Sequence, residues 1–154
     1  MVSLVLGLLA LAGVAGCAAG DASSNRGTGQ GQTQDDLLAS PGHPVTSPTG
    51  KYVLEVSPGP EDNGAKTWRV EIRDSSGATV YRDDADYTIR HTTYVLWADQ
   101  GDQAWIYSGD VGVFYIEPDA AGRQWSKSTW RIGDPVDDVP SYLRQARPER
   151  FGIR

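Results

Sequence analysis

Cysteine is almost absent from this sequence, since Cys17 is the only one among 154 residues. A lone cysteine excludes an intrachain disulfide, so the fold must be held by its apolar core. Histidine is nearly as scarce, with only His43 and His91. The chain also lacks a Gly-x-Ser-x-Gly motif. Without a nucleophile–base signature we expect no enzyme, no catalytic residue and no cofactor.

Positive charge is also in deficit, because 14 Lys and Arg face 20 Asp and Glu. Phosphate contacts need a basic surface, so this balance argues against nucleic acid as a partner. Arginine is nevertheless concentrated in the tail, at Arg144, Arg147, Arg150 and Arg154. We expect a short helix there, over 141–146 with Ser141 as its N-cap. The tail then packs on the acidic body or meets anionic lipid headgroups.

Apolar runs long enough to cross a bilayer are missing as well. The apolar stretch 4–14 has about eleven residues, the length of a signal-peptide core. It runs into Val14-Ala15-Gly16-Cys17, which resembles the lipobox of bacterial lipoproteins. In that family the cysteine becomes the lipidated N-terminus, carrying fatty-acyl chains such as palmitate. The resemblance implies a signal peptide over 1–16 and a lipid-anchored protein on the extracytoplasmic face of the cell membrane.

Composition divides the remainder of the chain into three segments. Residues 17–43 hold the cysteine and a stretch rich in Gly, Ser, Thr and Gln, which is typical of a flexible linker. Residues 44–133 predict a single β domain, because turn residues separate short apolar strands throughout. Residues 134–154 form the basic tail.

The β domain shows its strands through alternation. The clearest case is 68–72, where Trp68, Val70 and Ile72 alternate with Arg69 and Glu71. The other predicted strands lie at 52–56, 79–82, 87–97, 104–107, 111–117 and 125–132, and the longest of them, 87–97, can bend near His91. About seven short antiparallel strands predict an all-β meander that forms a sandwich, a strongly bent sheet or a barrel, with sequence neighbours paired.

A second resemblance covers about half of the domain. The segment 95–112, which contains Val95-Leu96-Trp97 and Trp105-Ile106-Tyr107, is similar to a pattern in small exported bacterial proteins, many of them lipoproteins. This similarity implies a β fold and carries no assigned activity.

Five tryptophans give the domain its largest apolar side chains. Trp68 alternates with core positions and is expected inside. Trp125 and Trp130 are five positions apart, which places their rings on opposite faces of a regular strand. Some aromatic surface must then face a second layer, a protein partner or a glycan. The candidate binding residues are Trp97, Trp125 and Trp130.

Several aspartates could offer oxygen ligands to calcium, which takes six to eight of them. They are Asp83, Asp84, Asp86, Asp99 and Asp102. Their spacing does not match the EF-hand loop, and aspartate favours turns through hydrogen bonds to nearby backbone. We therefore expect no metal site.

Three functions remain open. The first is a tethered domain that binds a protein partner at the cell envelope. The second is a glycan- or cell-wall-binding module, which a groove of aromatics with flanking Asp would favour. The third is a small envelope hydrolase, which a pocket holding His91 with Asp110 would favour.

Overall fold

The computed structural model describes residues 34–153. Within this range the chain is mostly β, as the sequence predicts. The strands are β1 Val45–Thr46, β2 Tyr52–Pro58, β3 Thr67–Asp74, β4 Thr79–Arg82, β5 Tyr87–Thr88, β6 Thr93–Trp97, β7 Ala104–Ser108, β8 Gly112–Pro118 and β9 Trp125–Trp130. One α-helix, α1, spans Ser141–Ala146, and 3₁₀ turns cover Gln34–Leu37 and Pro148–Arg150. No helix in these described residues has the length and apolar character to span a membrane.

The strands form two antiparallel sheets. The first sheet has the order β1-β2-β3-β4, with β5 also paired to β3. The second sheet has the order β6-β7-β8-β9. Sequence neighbours pair as predicted, with two exceptions: β5 pairs with β3 rather than β4, and β5 and β6 lie in different sheets.

The prediction of one long strand over 87–97 is wrong, although the interruption falls at His91, where the sequence allows a bend. This stretch contains β5 of the first sheet and β6 of the second, joined by residues 89–92. The Thr93 hydroxyl donates to the Thr88 carbonyl across this connection at 3.0 Å. The break exists because the chain passes from the first sheet to the second here. The division of this stretch into β5 and β6, together with the additional two-residue β1, accounts for the nine strands of the described residues.

The first core lies between the two sheets. Alternate residues of β2 and β3 point into it, including Leu54, Val70 and Ile72. From the second sheet it receives Val95 and Ile106, among others. The two sheets therefore pack face to face as a sandwich. Each fully buried apolar side chain in this core contributes about 1.5–3 kcal/mol to the free energy of unfolding.

The second core lies on the opposite face of the second sheet. There Trp105 and Trp130 pack against Val139, Leu143 and Phe151 of the C-terminal tail. The second sheet is thus covered on both faces, and all five residues of β7 are buried. The packing runs across the compositional boundary at residue 133, because the tail supplies one side of this core.

Both ends of the described chain are tied to the second sheet. Ala39, in the segment predicted as linker, is buried, and its N–H donates to the Val95 carbonyl at 2.7 Å. At the other end, Ser141 is the first residue of α1 rather than the N-cap, which is Pro140. Asp99 supplies the cap instead, because its Oδ2 accepts from the Ser141 N–H at 2.9 Å.

Candidate functional site

A groove lies between the outer face of the second sheet and the segment that leads into α1. It consists of two adjoining cavities of about 340 Å³ and 590 Å³, which share Gln103, Glu117 and Asp138. We call this feature the acidic groove. Trp105 and Tyr115 form part of its wall.

Strand parity explains how these side chains meet. On β7 and β8, Trp105 is paired with Tyr115, and their rings lie 5.3 Å apart between centroids. Glu117 lies two residues beyond Tyr115 and so projects from the same face of β8. Gln103 precedes β7 and reaches that face as well, since its side chain contacts both Trp105 and Glu117.

A short chain of hydrogen bonds orients the polar groups at the base of the groove. The Trp105 indole Nε1–H donates to Gln103 Oε1 at 2.7 Å. Gln103 Nε2 then donates to Glu117 Oε2 at 2.8 Å. The amide orientation follows from this chain, which holds the Glu117 carboxylate in place.

The segment after β9 closes the groove. Trp130 Nε1–H donates to the Pro135 carbonyl at 3.3 Å, and Asp134 Oδ2 accepts from the Arg131 N–H at 2.7 Å. Gly133 makes the turn with a φ of 105°, a conformation that favours glycine. These contacts hold the segment against the sheet, so the groove is part of the fold.

The groove is strongly negative. Its carboxylates are Asp99, Glu117, Asp134, Asp137 and Asp138. No basic side chain lines either cavity within the described residues. A concave surface lined with one sign of charge concentrates ligands of the opposite sign. The arrangement is therefore suited to a cationic group.

The three candidate tryptophans lie largely inside the protein. Trp97 is 6% exposed in the first core, and its Nε1–H donates to the Val45 carbonyl at 2.8 Å. Trp130 is 5% exposed in the second core. Trp125 is half-buried and meets Tyr52 edge-on at 4.9 Å. The assignment of Trp97 and Trp130 to an exposed binding surface is corrected, because both rings are covered.

The opposite facing of Trp125 and Trp130 is confirmed, since they pack in different cores. The second layer behind Trp130 is the chain's own tail, where Phe151 meets its ring at 4.9 Å. Trp68 packs against the first core and is half-buried.

The structure does not join His91 and Asp110 through a hydrogen bond in its described part. His91 is exposed in the connection between β5 and β6. Asp110 lies at the tip of the β7–β8 hairpin, where Oδ2 accepts from the Thr88 hydroxyl at 3.2 Å. His43 is exposed, with Nδ1 3.0 Å from the Leu38 carbonyl oxygen. Neither histidine side chain meets a hydroxyl or carboxylate partner here.

The aspartates considered as calcium ligands make separate contacts. Asp86 pairs with Arg69 at 2.8 Å, and Asp102 accepts from the Thr49 hydroxyl. Asp83 is buried and pairs with Lys127 at 2.8 Å. Within residues 34–153, no group of three or more His, Cys, Asp or Glu side chains is arranged to hold a metal ion.

Sequence reasoning missed the residues of the acidic groove. A usable signal existed in the spacing of Gln103 with Trp105 and of Tyr115 with Glu117, which share faces of neighbouring strands. The lipobox, its Cys17 and the signal peptide lie outside the described residues and stay predictions. Comparisons with models of protein families, with curated proteins and with solved structures found no match for this chain.

Proposed function

We propose that this chain is a lipid-anchored binding domain at the extracytoplasmic face of the cell envelope, and that its acidic groove takes a basic segment of a protein partner. The lipobox resemblance at Cys17 supports the anchor, and the predicted linker gives the domain reach from the membrane. The observation that carries the binding role is the negative groove with its oriented Gln103–Glu117 pair.

In addition to negative surface charge, the groove offers a cation a carboxylate whose position is already fixed. Glu117 is half-buried, and its position is held before any ligand arrives. A Lys or Arg of the partner donates to this carboxylate, and its methylene stem packs along Tyr115. A charged hydrogen bond of this kind contributes about 1.5–3 kcal/mol, whereas an exposed ion pair contributes about 0–1 kcal/mol. Prior orientation of Glu117 lowers the ordering cost of binding.

A glycan is the second candidate ligand. The same groove combines the half-buried Tyr115 ring with the Gln103 amide and several carboxylates. Such groups hydrogen-bond sugar hydroxyls and pack on the apolar face of a sugar ring. We propose binding rather than catalysis as the role of this groove.

Calorimetric titration with two probes tests the proposal. A synthetic oligolysine peptide represents the basic segment, and a chitin oligosaccharide represents a glycan. We expect the peptide to bind, with an affinity that falls as salt is raised. Glu117→Gln should weaken peptide binding about 10-fold, equivalent to about 1.4 kcal/mol.

The matched control is Glu61→Gln, which removes the same charge from an exposed loop of the first sheet. It should leave peptide affinity unchanged. Equal losses in the two variants would show general charge attraction and overturn the groove. Salt-independent binding of the oligosaccharide, with no peptide binding, would favour the glycan instead.

A further inference from the structure

A charged pair lies in the core between the two sheets. Lys127 occupies β9 with its side chain on the inner face, and Asp83 directly follows β4 of the other sheet. Lys127 Nζ is 2.8 Å from Asp83 Oδ1. The Asp83 side chain is 0% exposed and the Lys127 side chain 20% exposed. The pair therefore links the two layers of the sandwich across 44 positions of sequence.

Aromatic rings surround this pair. Lys127 Nζ lies 4.7 Å from the Phe114 ring centroid and 5.2 Å from that of Tyr87. The Tyr87 hydroxyl donates to Asp83 Oδ2 at 2.7 Å, and the Ala85 N–H donates to Oδ1 at 3.1 Å. Burying each ion of a pair costs several kcal/mol, and a reaction that removes both charges relieves this cost.

We propose that Asp83 and Lys127 react to form an isopeptide bond, an amide that covalently joins the two sheets. A proton first passes from the Lys127 ammonium to Asp83 Oδ1, leaving a neutral amine beside a neutral acid. The Nζ lone pair then attacks Asp83 Cγ, and negative charge collects on Oδ2. Oδ1 leaves as water with a second lysine proton, and one hydrogen remains on the amide nitrogen. The reaction therefore needs no oxidant, reductant or further reactant.

Tyr87 serves as the group that stabilises the developing charge. Its hydroxyl already points at Oδ2, the oxygen that becomes the oxyanion and then the amide carbonyl. Burial, followed by the hydrogen bond to Asp83, raises the pKa of Tyr87 above its ordinary value. The hydroxyl consequently stays protonated and remains a donor throughout the step.

The chain has a structural use for such a bond. Its single cysteine excludes an intrachain disulfide, so no other covalent tie of that kind joins the sheets. Closing the loop between positions 83 and 127 restricts the unfolded chain in the same way that a disulfide does. If Lys127 formed no bond with Asp83, its role would be to prevent aggregation, because an inward-pointing charge on an edge strand discourages pairing with other chains.

Intact mass spectrometry of the full purified chain provides the test. We expect a mass lower than the sequence mass of the same chain by one water. Trypsin should then release residues 83–90 joined to 124–131, because an acylated Lys127 resists cleavage. Tandem fragmentation should place the link between Asp83 and Lys127.

Two variants distinguish the isopeptide bond from other reactions in which the chain loses water. Lys127→Arg keeps the positive charge and should retain its full sequence mass. Tyr87→Phe should form the bond about 100-fold more slowly when freshly synthesised chain is followed over time, as expected for loss of one oxyanion donor. A wild-type chain at full sequence mass, or a water loss mapped elsewhere, would overturn the proposal without depending on any variant's folding.

Discussion

The two sheets differ in how many of their faces are covered by apolar packing. The first sheet has one apolar face, and its outer face carries ion pairs such as Arg73–Glu55 at 2.6 Å and Arg73–Glu71 at 3.1 Å. The second sheet has two apolar faces, because the tail covers the one that the first sheet does not. The comparison shows that the basic tail is a structural layer, and that the groove exists where this layer leaves the sheet partly open.

Removing the tail should have the largest effect on this difference. A chain that ends at Gly133 exposes the face bearing Trp105 and Trp130, which Val139, Leu143 and Phe151 cover in the intact protein. We expect it to lose cooperative thermal unfolding, measured by circular dichroism. Removing residues 18–33, predicted as linker, is the control and should leave the Tm unchanged. An unchanged Tm in the tail-less chain would contradict the layered account.

Single truncations within the second core should come next. Leu143 is 0% exposed, so Leu143→Ala should cost about 2–5 kcal/mol in the free energy of unfolding. Denaturant titration measures this cost. The exposed Ile132, which is 81% exposed, gives a matched control, and Ile132→Ala should change stability by less than about 0.5 kcal/mol. Similar values for the two variants would mean that α1 does not pack as described.

The cap of α1 should have a smaller effect. Asp99→Ala removes the acceptor of the Ser141 N–H and should destabilise the protein by about 1 kcal/mol. Asp102→Ala, in the same turn region but away from α1, is its comparison. Hydrogen exchange should show faster exchange in 141–146 for Asp99→Ala alone. Equal exchange in both variants would remove the capping role.

The outer face of the first sheet should be the most tolerant region. Glu71 pairs with Arg73 and Arg82, whose side chains are 40% and 67% exposed. Glu71→Gln should therefore cost about 0.2–1 kcal/mol, and the cost should shrink as salt is raised. A loss as large as that of Leu143→Ala would show that this face is energetically equivalent to the second core.

The same contrast explains what could be predicted from sequence. The alternation in β3 identifies a half-buried strand, because each apolar side chain has a charged neighbour facing solvent. The spacing of Trp125 and Trp130 predicts aromatic surface on both faces of β9, which leaves a second layer, a protein partner or a glycan as what covers the second face. The structure shows that a second layer covers it. The sequence does not predict which segment forms that layer, since Val139, Leu143 and Phe151 are scattered among charged residues without a regular period.

The acidic groove and the buried pair depend on register, which sequence leaves open. Gln103 and Glu117 come together because Ala104 pairs with Ile116 on the adjacent strand positions. Asp83 has the composition of a turn residue, and only the packing of the first sheet on the second brings it to Lys127. Contacts between distant segments require the assembled fold, whereas alternation requires only neighbours in the chain.

Oxidative footprinting of the tryptophans tests the central claim that the tail covers the second sheet. Hydroxyl radicals should modify Trp68, which is half-buried on the first sheet, faster than Trp105 and Trp130, which are 1% and 5% exposed. Rates read by peptide mass spectrometry of the intact chain give the comparison directly. Slow modification of Trp105 and Trp130 is the result expected from a covered outer face. Modification of these two rings as fast as Trp68 would contradict it.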